Sequence, residues 1–153
     1  MHFTCEPFDY LTLQRLYAIM ALRQEVFVVE QNCPYLDADG KDPEAWHLSG
    51  WLPDGRLGAY ARLLPPGLAY EGYPAIGRIV SAPAYRGTGL GRALVQRAIQ
   101  ECYFLFGHQP IRIGAQLYLT KFYQSFGFEP FGDEYLEDGI PHIEMVLLPP
   151  FTT

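Results

Sequence analysis

The sequence predicts a single α/β domain in which helices pack on a mixed, largely antiparallel sheet. Three observations carry that expectation. Stretches with apolar residues at helical spacing alternate with short apolar runs, in the order strand, helix, three strands, helix, strand, helix, two strands. At 153 residues the chain suits one hydrophobic core and is too short for two ordinary ones, so residues 1–153 read as one domain. Hydrophobic residues make up 49% against 18% charged, which fits a packed globule and not a disordered chain, and 15% aromatics imply a core rich in rings.

From Leu11 to Gln31, Leu13, Leu16, Tyr17, Met20, Val26 and Phe27 recur at helical spacing, which predicts a long first helix, bent or broken along its length. Asn32 to Pro43 is rich in Pro, Asp and Gly and reads as a loop long enough to be functional. Its Asp37, Asp39 and Asp42 resemble a calcium loop superficially, but the terminal glutamate and the framing of an EF-hand are missing, so they read as a solvated turn and no metal is expected. Trp46 to Trp51 and Leu57 to Leu64 flank the turn tripeptide Pro53-Asp54-Gly55 and predict an antiparallel hairpin. Ala75 to Val80 supplies a further strand. Leu90, Ala93, Leu94, Ala98, Cys102 and Leu105 then line one side of a helix that starts at a glycine cluster. Ile111 to Gln116 is a strand, Leu119 to Phe126 a short helix stopped by Gly127, and Pro130 to Tyr135 and Pro141 to Leu148 are the last strands, separated by Glu137-Asp138-Gly139.

A formal net charge of -6 supplies no global positive field, which argues against nucleic-acid binding and is compatible with a cationic partner. An anionic ligand would need local help from backbone amides and a few arginines. Cys5, Cys33 and Cys102 are odd in number and widely spaced, with no metal-ligand pattern among the histidines, which points to a reducing cytoplasm. No basic start followed by an apolar run opens the chain, and no apolar stretch is long enough to span a bilayer, so no membrane association is expected.

The most informative segment is Arg86-Gly87-Thr88-Gly89-Leu90-Gly91-Arg92, between a predicted strand and an amphipathic helix. A helix start presents unpaired N–H groups and the positive end of the dipole, and glycines let a pyrophosphate approach them. A nucleotide P-loop is excluded because no Lys-Ser or Lys-Thr follows, and the dinucleotide fingerprint because the spacing is G-x-G-x-G. The same glycines could also make only a tight strand-to-helix turn.

The R-x-x-G-x-G pattern of Arg86, Gly89 and Gly91, preceded by the strand Ile76 to Val80 and followed by Phe122-Tyr123-Gln124-Ser125-Phe126-Gly127-Phe128, resembles the GNAT acetyltransferase superfamily. Leu22 to Gln31, then Cys33-Pro34-Tyr35, and finally Asp138 to Met145 are similar to its ElaA-like branch, so the resemblance spans nearly the whole chain. It implies a sheet splayed in the middle with helices on both faces, acetyl-CoA in the V-shaped gap, and direct transfer of the acetyl group to an amine, carried by a small molecule or a peptide. It assigns the pyrophosphate to Arg86 through Arg92, the pantetheine amides to the backbone of Ile79 and Val80 with Ser81, and proximity to the thiol to Tyr123. Gln116 and Leu117 stand where an asparagine often begins the last motif. Glu30, Gln31, Tyr35 and His47 would border the acceptor pocket.

A phenol at Tyr123 can protonate the departing thiolate, although the residue also lies on an apolar helical stripe and could serve packing alone. Arg78 could approach the site or face solvent. The amine must lose a proton before attack, and His142 and Glu144 share one face of the last strand by the two-residue period, as a base or as a solvated sheet face. Cys102 belongs to the apolar side of its helix and is not expected to act as nucleophile. A noncatalytic acyl-CoA-binding module is the rival reading. The oligomeric state is left open, a homodimer included.

Overall fold

The computed structural model describes residues 1–150, so the last three residues of the expected 1–153 domain lie outside the described part. In chain order the strands are β1 (His2–Pro7), β2 (Trp46–Trp51), β3 (Leu57–Leu64), β4 (Ala75–Ser81), β5 (Ile111–Gln116), β6 (Glu129–Pro130), β7 (Tyr135–Glu137) and β8 (Ile140–Leu147). The helices are α1 (Leu13–Arg23), α2 (Leu90–Phe106) and α3 (Thr120–Gln124). They build one mixed sheet in the order β1-β2-β3-β4-β5-β8-β6, with β7 on β8.

The sheet has two antiparallel halves that meet at β4 and β5. These strands run parallel and are paired at Ala75 and Arg112, near the start of each, and then diverge. Parallel neighbours need a long crossover, supplied here by α2. Its Leu90, Leu94, Val95, Ala98 and Cys102 are buried on Ala59, Ala61, Leu63, Ile113, Met145 and Phe128. On the opposite face Ile19, Leu22 and Val26 pack on Tyr60 and Val80. Helices therefore cover both faces, as expected.

Thr12 caps α1 by accepting from the Arg15 N–H at 3.1 Å. The expected break in the first helix is a π-helical segment from Gln24 to Glu30, with wide bonds from Gln31 N–H to the Val26 carbonyl at 3.1 Å and from Cys33 N–H to the Val28 carbonyl at 3.0 Å. The hairpin β2–β3 forms around Pro53-Asp54-Gly55, with Asp54 accepting from the Arg56 N–H at 3.0 Å. Asp138 and Gly139 have φ of 53° and 76°, the double positive φ of a tight hairpin turn joining β7 to β8.

Two boundaries differ from expectation. Pro130 to Tyr135 is not one strand: Pro130 offers no N–H and Gly132 has φ 96°, so the ladder is cut into β6 and β7. The helix expected over Leu119 to Phe126 is a 3-10 turn, Leu117–Leu119, followed by the short α3, and Gly127 at φ 103° ends it.

The aspartates of the Asn32 to Pro43 loop are not a plain solvated turn: Asp42 is buried, Asp37 half-buried and Asp39 exposed, and all three belong to a ring of alternating charges. Arg23 Nε donates to Asp37 at 2.6 Å, and Arg78 Nε donates to the other oxygen of Asp37 at 2.8 Å. Arg78 Nη2 lies 3.5 Å from Asp39, which accepts two bonds from Arg62 at 2.8 Å. Arg62 Nη1 also donates to Asp42 at 3.0 Å, and Asp42 closes the ring by accepting from Arg23 Nη1 at 2.7 Å. Arg23 is fully buried, with its guanidinium over the Tyr60 ring. Under the ring, the fully buried His47 donates from Nε2 to the Asp42 carbonyl at 2.9 Å, so its Nδ1 accepts from the Tyr60 hydroxyl at 2.6 Å.

Burial holds the His47 imidazole below its ordinary pKa. Burial alone would raise the carboxyls of Asp39 and Asp42, but the hydrogen bonds and charges of the partner arginines outweigh it and hold both below the carboxylate range. In both cases the unfolded chain takes protons that the folded chain refuses, so stability falls as pH falls. Unfolding by urea should show one decline beginning near about pH 6.5, from His47, and a second below about pH 4, from the aspartates. His47→Gln should flatten the first decline and keep the second; an unchanged slope between pH 5 and 6.5 would remove His47 as its source.

Candidate active site

Where β4 and β5 part, a cleft of about 500 Å³ opens toward their C-terminal ends. The last residues of β4 form one wall and β5 with α3 the other, while the π-helical segment and the loop after it cross one end.

One end of the cleft carries the positive end of a helix. Ser81, Arg86 and Gly91 line it, at the start of α2. Gly89 sits at the N-cap with φ +83° and Gly87 has φ +79°, conformations that side chains rarely adopt, and no atom lies within 4 Å of where a Cβ would stand on either. The helix therefore begins without a side-chain cap, and its first N–H groups are left for a ligand. Gly87, Thr88 and Gly89 are exposed at the rim. Thr88 turns its hydroxyl back to the Tyr85 carbonyl at 2.6 Å. Leu90 points into the core. Arg92 lies over the Phe126 ring at 4.6 Å and donates to Ser125 at 2.7 Å, so it braces α2 against the α3 turn. Across the mouth Arg86 pairs with Glu30 at 2.7 Å.

In the middle of the cleft stand Ile79 and Val80 of β4, Gln116 of β5 and Tyr123 of α3. β4 carries a bulge here: Tyr60 pairs with Val80 and Arg62 with Gly77, so Arg78 and Ile79 together face Ala61. The extra residue reverses the side-chain alternation, and Val80 packs on the α1 side although Ile76 packs on the α2 side. Tyr123 is 5% exposed, edge-on to Phe122 and Phe128, and burial raises its pKa, so its phenol keeps its proton at neutral pH.

The far end is bounded by Gln31, Cys33 and Tyr35 on the loop side and by Glu137, Asp138 and His142 on the β7–β8 side. The two sides touch where the Cys33 thiol reaches the Asp138 carbonyl at 3.6 Å. His142 stacks on Tyr135 and donates from Nδ1 to the Ile140 carbonyl at 2.7 Å, which leaves the Nε2 lone pair free, 3.4 Å from the Glu137 carboxylate.

Two expected site residues are placed elsewhere. His47 lies in the buried layer under the ion ring, with both ring nitrogens engaged, and does not line the cleft. Glu144 shares a strand face with His142 but accepts from the Tyr70 hydroxyl at 2.9 Å, beside Gly114, and is not among the lining residues. Arg78, for which the site and solvent were both open, lines the cleft, and Asp37 and Glu137 line it without having been singled out for it. Among the described residues no group of three His, Cys, Asp or Glu side chains could hold a metal ion, and no helix is long and apolar enough to cross a membrane.

A family model described as an acetyltransferase (GNAT) domain matches residues 67–149, more than half of the chain. Protein ElaA of Escherichia coli (strain K12) is 45% identical over 137 residues, 88% of this chain and 88% of that protein. Among solved structures, an acyl-CoA N-acyltransferase from Pseudomonas aeruginosa superimposes with a TM-score of 0.89 at 45% identity, covering 96% of this chain and 99% of that one. The crystal structure of Escherichia coli ElaA does so with a TM-score of 0.88 at 40% identity, covering 95% and 98%. With the splayed sheet and the uncapped glycine helix start, these similarities make the chain a member of the GNAT acetyltransferase family, of its ElaA-like branch, and an acyltransferase that draws on acyl-CoA.

Proposed function

We propose that the chain transfers an acetyl group from acetyl-CoA to the amine of a small molecule or peptide, by direct attack. The observation that carries this reading is the convergence on one cleft of an uncapped helix start, a buried phenol that keeps its proton, and an imidazole with a free lone pair.

In this scheme the pyrophosphate meets the first N–H groups of α2, with Arg86 released from Glu30 to join it, and the pantetheine runs along Ile79, Val80 and Ser81. A β4 amide at the bulge donates to the thioester oxygen, where charge develops during attack. The amine nitrogen bonds to the carbonyl carbon, the C–S bond breaks, and Tyr123 supplies the proton that the thiolate needs. His142 Nε2 takes the proton that the amine loses, and the resulting imidazolium is held beside Glu137. Of the two base candidates on β8, His142 is the better placed, because it lines the cleft while Glu144, beside the lining residue Gly114, is engaged by Tyr70 and does not line it. The carboxylates of Glu137 and Asp138 at the far end favour a cationic acceptor. No enzyme nucleophile is needed, and the Cys102 thiol is fully buried with its pKa raised by that burial.

Acetyl-CoA at millimolar concentration should raise Tm, and Gly91→Ala separates the ligand's needs from the helix's. A Cβ on Gly91 meets only Ser81 Oγ at 3.7 Å, and alanine inside a helix gains about 0.5–1 kcal/mol over glycine. The variant should therefore melt higher without ligand and bind acetyl-CoA more weakly by calorimetry. Unaltered affinity would make the loop a turn only.

Tyr123→Phe keeps the packed ring and deletes one hydroxyl. Its kcat should fall on the order of 10²-fold with little change in acetyl-CoA affinity. A loss confined to affinity would make Tyr123 a binding contact.

For His142→Gln, turnover of a chosen amine should fall most at low pH and recover as pH approaches the amine's own pKa, where no base is needed. A pH–rate profile parallel to that of the unmodified enzyme would exclude His142 as the base.

A further inference from the structure

We infer that Asp37 is a positioning residue for acyl transfer, acting through Arg78 to hold the β4 bulge in the form that presents its backbone amides to the cleft; this rests on the acetyl-transfer reading above. Arg78 has φ +50°, in the left-handed region that an arginine keeps only where its surroundings hold it there. It is also one of the two bulge residues that face Ala61 alone, and it immediately precedes Ile79 and Val80. The bulge is therefore both strained and central to the site.

What holds it is a side chain from another part of the chain. Arg78 Nε donates to Asp37 Oδ1 at 2.8 Å, and its Nη2 lies 3.4 Å from the Asp37 carbonyl. Asp37 is itself fixed from behind, since Arg23 Nε donates to Oδ2 at 2.6 Å and Arg23 Nη2 to the carbonyl at 3.0 Å. Arg23 is 0% exposed and cannot follow a moving partner. Each oxygen of Asp37 thus serves one arginine, one immobile in the core and one at the bulge. The guanidinium of Arg78 completes its setting over the Phe27 ring at 5.9 Å, on the π-helical segment that borders the same cleft.

Loss of Asp37 leaves Arg78 with the longer 3.5 Å contact to Asp39 as its remaining ion pair. The left-handed residue then relaxes, and the amides of Arg78 and Ile79 lose their fixed direction. Misplacement of a donor by about 1 Å is enough to cost up to about 10²-fold in rate, whereas coenzyme affinity is shared between the pantetheine pairing on β4 and the pyrophosphate end at α2 and falls less.

The test compares Asp37→Asn with Asp42→Asn, which breaks the same ion ring at a residue that does not touch Arg78. Amide hydrogen exchange at Arg78 and Ile79 is followed by NMR in the ligand-free protein, alongside Tm, acetyl-CoA affinity and kcat. Asp37→Asn should speed exchange at these two amides and lower kcat, each on the order of 10-fold, with acetyl-CoA affinity within about 3-fold. Asp42→Asn should lower Tm at least as much while leaving both amides and kcat near the starting values. Should Asp37→Asn fail to fold, Arg78→Gln breaks the same pair from its part-exposed side and must give the same signature. Unchanged exchange at Arg78 and Ile79, or kcat losses that follow Tm equally in the Asp37 and Asp42 variants, would overturn the inference. Failure of the unmodified protein to bind acetyl-CoA would instead count against the acetyl-transfer reading, and the exchange measurement on ligand-free protein would still decide the role of Asp37.

Discussion

The ring of three arginines and three aspartates is the constraint that ties the loop beside the cleft to the rest of the fold. It joins the Asn32 to Pro43 loop to the end of α1, β3 and β4, which also share the apolar cluster of Ile19, Leu22, Tyr60 and Val80. Its charges sum to zero, and each carboxylate is shared by two guanidinium groups, so the ring compensates its own desolvation. Removing one partner of a buried pair costs roughly 3–5 kcal/mol, because the charge left behind has no water to replace it. A loop built of Pro34, Gly40 and Pro43 with scattered aspartates has no ladder of its own, and the ring gives it one fixed course along the cleft.

The cleft itself comes from pairing that stops. β4 and β5 meet at Ala75 and Arg112 and then separate, and α2 connects the end of β4 to the start of β5. The backbone groups of the diverging edges are then free to pair with an extended ligand, and the same crossover points the start of α2 at one end of the gap. The bulge at Arg78 adds a second irregularity at the same place. One extra residue reverses the alternation of β4, so Ile76 and Val80 can each fill a different core on opposite faces of the sheet.

Features encoded by neighbouring residues were legible in the sequence. The glycine loop, the apolar stripe of α2, the Pro53-Asp54-Gly55 turn and the Asp138-Gly139 turn each rest on φ preferences or a helical period within a few residues, and each lies where those rules put it. The ion ring was not legible, because Arg23, Arg62 and Arg78 come from three elements far apart in sequence and an aspartate-rich loop reads as solvated until its partners are known. The bulge leaves no mark on the alternation of Ala75 to Ser81 beyond an arginine in an apolar run. The break between β6 and β7 did carry a signal, Pro130 and Gly132, which outweighs the apolar residues on either side.

Two histidines show how local hydrogen bonding separates a fully engaged ring from one with an open nitrogen when the residue type cannot. His47 and His142 are both buried, and each gives one N–H to a backbone carbonyl. For His47 that donor is Nε2, and the remaining nitrogen accepts from the Tyr60 hydroxyl inside a layer already holding two nearby arginines. A proton there would displace a hydrogen bond and add like charge. For His142 the donor is Nδ1, and the remaining nitrogen faces Glu137, a carboxylate that accepts but cannot donate. Its lone pair is therefore left free at the edge of the cleft. The choice of which nitrogen is tied to the backbone makes one imidazole a fixed part of the core and leaves the other with an open nitrogen at the edge of the cleft.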